Sequence, residues 1–356
     1  MLVKAAIRLF PVVLALAVIG CASVSPNADR ARLAAQKVEK GSVLTDTHVD
    51  AALQNRIFAL DPERVTDSDV RTVLAAGPTP RIVSVHGGIY PVHLVMESFA
   101  RFLIGMGYPE SKIRHPGDGR LSHSPYENSA QIAGLIAWYY ERDGVRPFII
   151  GHSQGGIQAV KVLHELAGDY SDAVRVWNPL TESAENRTTI LDPLTGRERP
   201  VVGLKVGYAS AVGAGGAGLL LPNQWSMVGR LRTIPNTVEE FTGYALGVDL
   251  FAWDLPGAAS TYRASGTARV RNVALPASYS HVTVAATGDL AEDPAMREWL
   301  NAYVPGQNNG FPANAVSVTN ALWAADVWYS IKKHWVLEAQ RFLRAKNVAT
   351  AAAKRQ

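Results

Sequence analysis

The sequence predicts an α/β fold, a mostly parallel sheet with helices on both faces, and three observations carry that expectation. Short apolar runs alternate with amphipathic stretches at the spacing of βαβ units between about residues 60 and 180. RIVSV at 81–85 and PFII at 147–150 read as buried strands, as a sheet covered on both faces requires. The chain has 356 residues, 47% hydrophobic and 19% charged. That suffices for one large domain with insertions, or two modest ones, and excludes a disordered chain.

Taken in order, residues 1–21, MLVKAAIRLFPVVLALAVIGC, have the layout of a secretory signal. Lys4 and Arg8 make a positive start, Leu9 to Ile19 an apolar stretch, and small residues follow. An uncleaved anchor is the alternative, but Pro11, Ser23, Ser25, Pro26 and Asn27 interrupt the uncharged run and leave it short for a span. Residues 22–50 are rich in Ala and charge and read as a tether with one short helix over 28–40. The expected divisions are a signal peptide over 1–20, Cys21 and a tether over 21–59, and a globular domain over 60–356 with an insertion at about 180–240.

From about residue 60 the pattern becomes globular. Helices are expected over 67–76, 92–106, 126–142 and 154–167, and strands over 81–85 (RIVSV), 111–114, 147–150 (PFII) and 173–177. Residues 180–240 break the rhythm, polar at first and then apolar and rich in Gly and Ala, and read as an inserted cap. Strands resume over 240–246 and 268–275. Helices follow over 294–303 and 321–345, the last an extra C-terminal helix.

Several functions are excluded early. The net charge of +4 comes without any run of Lys or Arg, so nucleic acid is not an expected partner. Cys21 is the single cysteine, which rules out an intrachain disulfide and a zinc site of several thiolates. There is no P-loop lysine, no H-E-x-x-H and no EF-hand acid ladder, so neither metal nor cofactor is expected. Gly213 to Gly218 spells G-x-G-x-x-G, but Pro222 stands where a helix should be starting, and residues 208–212 are too small to read as a buried strand. A flexible apolar loop is the better reading of that run.

The chemistry lies in Gly151-His152-Ser153-Gln154-Gly155-Gly156, a G-x-S-x-G sequence that follows PFII directly and opens a helix. A sharp turn there puts Ser153 in strained backbone, and any β-carbon on Gly151 or Gly155 would crowd neighbouring elements. The result is an exposed hydroxyl at a strand's carboxyl end, beside the N–H groups of a helix N-terminus. A second motif, His86-Gly87-Gly88, follows RIVSV.

With these two motifs in this order, the chain resembles the α/β-hydrolase superfamily, particularly its lipase- and esterase-like members. The resemblance covers roughly residues 60–305 as a topology, and only the two motifs are specific. It implies an α/β-hydrolase fold, with the backbone N–H groups of Gly88 and Gln154 as an oxyanion hole. It also implies a triad in the chain order Ser, acid, His. Of the nine histidines, His281 sits in a loop after the last strand, where the family places its base, whereas His334 beside Trp335 reads as helix packing. Asp249, just past a strand end, is the expected acid. Asp254, before Leu-Pro-Gly, is the rival and reads more simply as a turn residue. Val18-Ile19-Gly20-Cys21 resembles the lipobox of bacterial lipoproteins, which implies a diacylglyceryl group on Cys21 and anchoring in the cell envelope. Ala22 in the following position favours the outer membrane.

The expected function is hydrolysis of a carboxylic ester, on a small-molecule or lipid substrate, through an acyl-enzyme. Thioesterases, acyltransferases and peptidases share the triad. The alternative of another class is a non-catalytic lipoprotein that keeps the fold as a binding or envelope-structural module.

Overall fold

In a computed structural model of the chain, which describes residues 42–88, 92–247, 249, 261–307, 310 and 320–354, the apolar runs meet in one all-parallel sheet. Its strands are β1 (Ile82–Val85), β2 (Phe148–His152), β3 (Val206–Val212), β4 (Val238–Ala245) and β5 (Arg269–Ala274), paired in that order. Every position of β1, β2 and β3 is buried, which is why RIVSV and PFII do not alternate. Side chains of successive residues still leave on opposite faces. Phe148, Ile150, Tyr208 and Val212 enter one core, and Val83, Ile149, Ala209 and Ala211 the other.

Two layers of helices fill these cores. The first face is covered by α3 (Asp67–Thr72), α4 (Val92–Gly105), α7 (Pro294–Ala302) and α8 (Ala321–Ala353), with Phe99, Phe102, Trp323, Trp328 and Trp335 at its centre. The second face is covered by α5 (Ser129–Asp143) and α6 (Gln154–Ala167). The α5 helix begins later than its apolar pattern because Asn128 caps it, accepting a hydrogen bond from the Ala130 N–H at 2.9 Å. It ends at Gly144, which is in the left-handed conformation.

The winding positions the site. After β1 and α4 the chain returns to the outer edge of β1, where His123 forms a single parallel bridge with Val85. The His86 N–H donates to the His123 carbonyl at 3.0 Å, and the His123 N–H to the Ser84 carbonyl at 2.7 Å. The chain then crosses back through α5 to β2 on the other side of β1. The direction of winding therefore reverses between β1 and β2. At such a reversal the carboxyl ends of adjacent strands open a crevice that connecting segments cannot cover.

Several expectations are corrected. The strand expected at 111–114 is a 3-10 turn, Glu110–Lys112; Glu110 pairs with Arg114 one turn later, a contact an extended strand cannot make. The strand expected at 173–177 is not in the sheet. Ala173 and Arg175 are exposed while Val174 and Val176 are buried, so the segment is covered on one side only. Its last residue begins a two-residue antiparallel ribbon, Trp177–Asn178 against Ser183–Ala184.

The place in the sheet goes instead to β3, inside the region 180–240 that reads as an inserted cap and within residues set aside as too small for a buried strand. Their smallness is what the packing needs. A β-carbon on Gly156 of α6 would lie 2.7 Å from the Ala214 β-carbon and 3.1 Å from that of Ala211.

The expected tether is also partly folded. Residues 42–59 contain α1 (Ser42–Asp46) and α2 (Ala51–Ala59), and Val43, Leu44, Val49 and Ile57 are buried with Phe342 and Leu343 of α8. That contact gives α8 a reason to run past residue 345. The signal peptide, Cys21 and the helix expected at 28–40 lie outside the described residues.

Candidate active site

β2 ends at His152 and α6 begins at Gln154, so Ser153 alone makes the turn between them. Its backbone sits at φ 56°, ψ −127°, a conformation that costs a residue with a side chain about 1–3 kcal/mol. Neighbouring bonds hold it there. The Ser153 N–H donates to the Val212 carbonyl of β3 at 2.8 Å, and the Ser153 carbonyl accepts from the Gly156 N–H at 2.9 Å. A β-carbon on Gly151 would lie 2.2 Å from the Gly155 carbonyl oxygen, and one on Gly155 would lie 2.2 Å from that of Val85. Only glycine at both positions lets the turn close.

His281 and Asp249 are brought to this serine. The Nε2 of His281 lies 2.8 Å from the Ser153 Oγ, and its Nδ1 lies 2.6 Å from an Asp249 carboxylate oxygen. An ionised carboxylate only accepts, so Nδ1 carries the proton, and Nε2 is left as the acceptor for the serine hydroxyl. Asp249 lies four residues past β4, and His281 lies in the irregular loop after β5, so β2, β4 and β5 deliver the three groups to one end of the sheet. The side chains of His281 and Asp249 are 9% and 6% exposed, which shields their contact from water. Asp254 lies outside the described residues.

The His86-Gly87-Gly88 segment lies directly against the serine. A β-carbon on Gly87 would sit 3.0 Å from the Ser153 β-carbon and 3.5 Å from its Oγ. One on Gly88 would collide with the Gln154 side-chain oxygen. The Gly88 carbonyl accepts from the Tyr126 hydroxyl at 3.1 Å. The His86 Nδ1–H donates to the Gly87 carbonyl at 2.7 Å, and burial outweighs that bond in lowering the His86 pKa. His86 is thus a neutral brace of the loop. The Gln154 N–H is the first of α6 and has no acceptor within the helix. A flat reacting group can therefore approach the serine between the ends of β1 and β2.

Two features of the site escaped sequence reasoning. Gly213, the first residue of the G-x-G-x-x-G run, has φ +61° and packs against the imidazole of His281. The run continues into a 3-10 turn, Gly216–Leu220, and not into an α-helix. His152 lies with its Nε2 2.7 Å from the His281 carbonyl oxygen. Its only signal in the sequence is the two-residue period of β2, which turns it onto the same face as Phe148 and Ile150. His334 is buried and stacked on Tyr208 with ring centroids 5.4 Å apart, remote from Ser153 in role.

The crevice has an apolar margin. Tyr126, Leu220 and Trp225 are all largely exposed. Asn223, between the last two, donates to the Pro125 carbonyl at 3.3 Å, which ties their segment to the one that bears Tyr126. Among the described residues, no group of three or more His, Cys, Asp and Glu side chains could hold a metal ion, and no helix is long and apolar enough to cross a membrane. In sequence comparisons, no protein-family model matches the chain and no curated protein is significantly similar to it.

Proposed function

We propose that this protein is a serine hydrolase of the α/β-hydrolase superfamily that cleaves carboxylic esters, with Ser153, His281 and Asp249 as its triad. One observation carries the reading: a serine hydroxyl at a strained strand-to-helix turn is hydrogen-bonded to an imidazole whose far nitrogen is held by a carboxylate. Ser153 Oγ attacks the ester carbonyl while His281 Nε2 takes its proton. The oxyanion is held by the N–H groups of Gln154 and Gly88, each donor contributing about 3 kcal/mol to the barrier's reduction. His281 then gives the proton to the leaving alcohol, and the same imidazole activates the water that releases the acid from Ser153. Asp249 keeps the proton on Nδ1 and stabilises the imidazolium as it forms.

The exposed Tyr126, Leu220 and Trp225 near the crevice favour an apolar acyl or alcohol group, a small ester or a lipid. The same triad would serve a thioesterase, acyltransferase or peptidase. The lipobox-like Val18-Ile19-Gly20-Cys21 supports a lipid-anchored protein of the bacterial envelope, at the outer membrane by virtue of Ala22.

Two measurements test the reading. A fluorophosphonate probe is expected to label the wild-type protein and not Ser153→Ala; an unlabelled wild type would favour a binding module. A series of p-nitrophenyl esters of increasing acyl length is expected to be turned over and to define the chain length preferred. Turnover of thioesters or peptides with none of any ester would reject the ester assignment.

A further inference from the structure

His152 precedes the nucleophile, yet its ring turns away from the crevice. It is fully buried beneath the loop that carries His281, and the two rings lie 5.3 Å apart at 43°. Its Nε2 lies 2.7 Å from the main-chain carbonyl oxygen of His281. A carbonyl only accepts, so the proton of His152 must be on Nε2. The other nitrogen, Nδ1, is buried without a hydrogen-bond partner. An apolar side chain would fill this space without leaving a polar atom unpaired.

Among the described residues, the loop that receives this bond is also held by the start of α8, where the Leu322 N–H donates to the Tyr279 hydroxyl at 2.9 Å and the Asn320 amide to the Ala286 carbonyl. Residues 276–286 form no strand and no helix. Their main-chain bonds fold the loop on itself, as from the Tyr279 N–H to the Pro276 carbonyl at 3.0 Å and from the Val284 N–H to the Ser280 carbonyl at 3.0 Å. The bond from His152 instead reaches the loop from β2, the strand that also carries Ser153 one residue further on. Nucleophile and base are thereby referenced to one rigid element.

We infer that His152 is a positioning residue, a buried neutral donor that fixes the main chain of His281 so that its ring stays in reach of Ser153. The inference rests on the hydrolase reading of the site. Neutrality matters as much as the bond. Burial first, and then the charge His281 can bear, push His152 down to about 3, so it carries no charge where the enzyme would work. A cation here would oppose the imidazolium that forms on His281 during acyl transfer.

The test compares His152→Leu, which fills the space without a donor, with His152→Gln, which restores a neutral N–H donor. Both are assayed for melting temperature, fluorophosphonate labelling, and kcat and KM on p-nitrophenyl butyrate. For His152→Leu, kcat is expected to fall about 10- to 100-fold with KM changed less than about 3-fold, since a displacement on the order of 1 Å suffices for such a loss. His152→Gln should recover most of it. Wild-type kcat in His152→Leu, or no recovery in His152→Gln, would overturn the inference while leaving the hydrolase reading intact. An unlabelled wild type would overturn that reading and the inference with it. Should His152→Leu fail to fold, long-range proton–nitrogen correlation on the wild-type rings decides: Nε2 of His152 is expected to stay protonated and Nδ1 bare down to about pH 5. A proton on Nδ1 would end the proposal.

Discussion

Gly213 abuts the imidazole of His281 so closely that a β-carbon on it would come within 2.9 Å of the ring's Nδ1 and 3.3 Å of the Asp249 carboxylate. The position also has φ +61°. An alanine there costs twice, about 1–2 kcal/mol for the left-handed backbone and a further sum for pushing the imidazole from its place. Gly213→Ala is expected to lower the melting temperature by a few degrees and the fluorophosphonate labelling rate about 10- to 100-fold. Labelling at the wild-type rate would show that the ring has room to spare.

Ser153 holds its conformation against its own side chain. Alanine in its place removes the hydroxyl and keeps the strain, whereas glycine removes both. Ser153→Gly and Ser153→Ala should both abolish labelling, and Ser153→Gly should be the more stable by about 1 kcal/mol in urea unfolding. Equal stability would mean that the surrounding bonds, Ser153 N–H to Val212 above all, make the turn effortless.

Asp249 and Asp254 are separated by the same logic. Asp249→Asn keeps the shape of the pair with His281 but offers an amide that can hold the wrong tautomer, so kcat should fall by about 10³- to 10⁴-fold. Asp254→Asn should leave kcat within about 3-fold. The reverse ranking, measured on one short ester, would assign the acid to Asp254.

Legibility of these features in the sequence followed physical lines. β1 and β2 were readable because continuous apolar runs beside glycine have few other meanings, and the bounds of α6 because Ser153 and Gly168 punctuate it. That Ser153, His281 and Asp249 meet was legible through motif and chain order, although nothing local to His281 or Asp249 marks them. β3 was not readable, since its Gly, Ala and Ser serve close packing against α6 and mimic a loop when seen alone. Residues 173–177 misled because alternation reports one-sided burial, not membership of a particular sheet. α1 and α2 looked like tether because what they bury, Phe342 and Leu343, lies nearly 300 residues away. Gly213 and His152 depend on who their neighbours are in space, which no spacing along the chain discloses.

Acid should begin to destabilise this protein before Glu240 titrates. His115 is 3% exposed; burial, with Arg120 and His123 beside it, pushes its pKa down to about 4, and Asp118 offsets only part of that. His152 is held lower still, at about 3. In the unfolded chain both return to about 6.5. Below that pH the unfolded chain binds more protons than the folded one, so their contribution to stability is complete above pH 6.5. It is lost as the pH falls toward 4 for His115 and 3 for His152. Each histidine then costs at most about 1.4 kcal/mol per pH unit across its window. Glu240 adds to this only later. Burial alone would raise it, but His334, Lys333 and Arg271 leave it at about 2, so its share goes between pH 4.5 and 2. Urea unfolding at pH 7, 6 and 5 should therefore show stability already falling. His115→Asn keeps an acceptor for the Gly117 and Asp118 N–H groups that His115 Nδ1 now receives at 3.3 and 3.4 Å, and it should flatten the slope by about one proton. A slope unchanged by that substitution would mean that His115 reaches water when protonated, and that the acid sensitivity lies elsewhere.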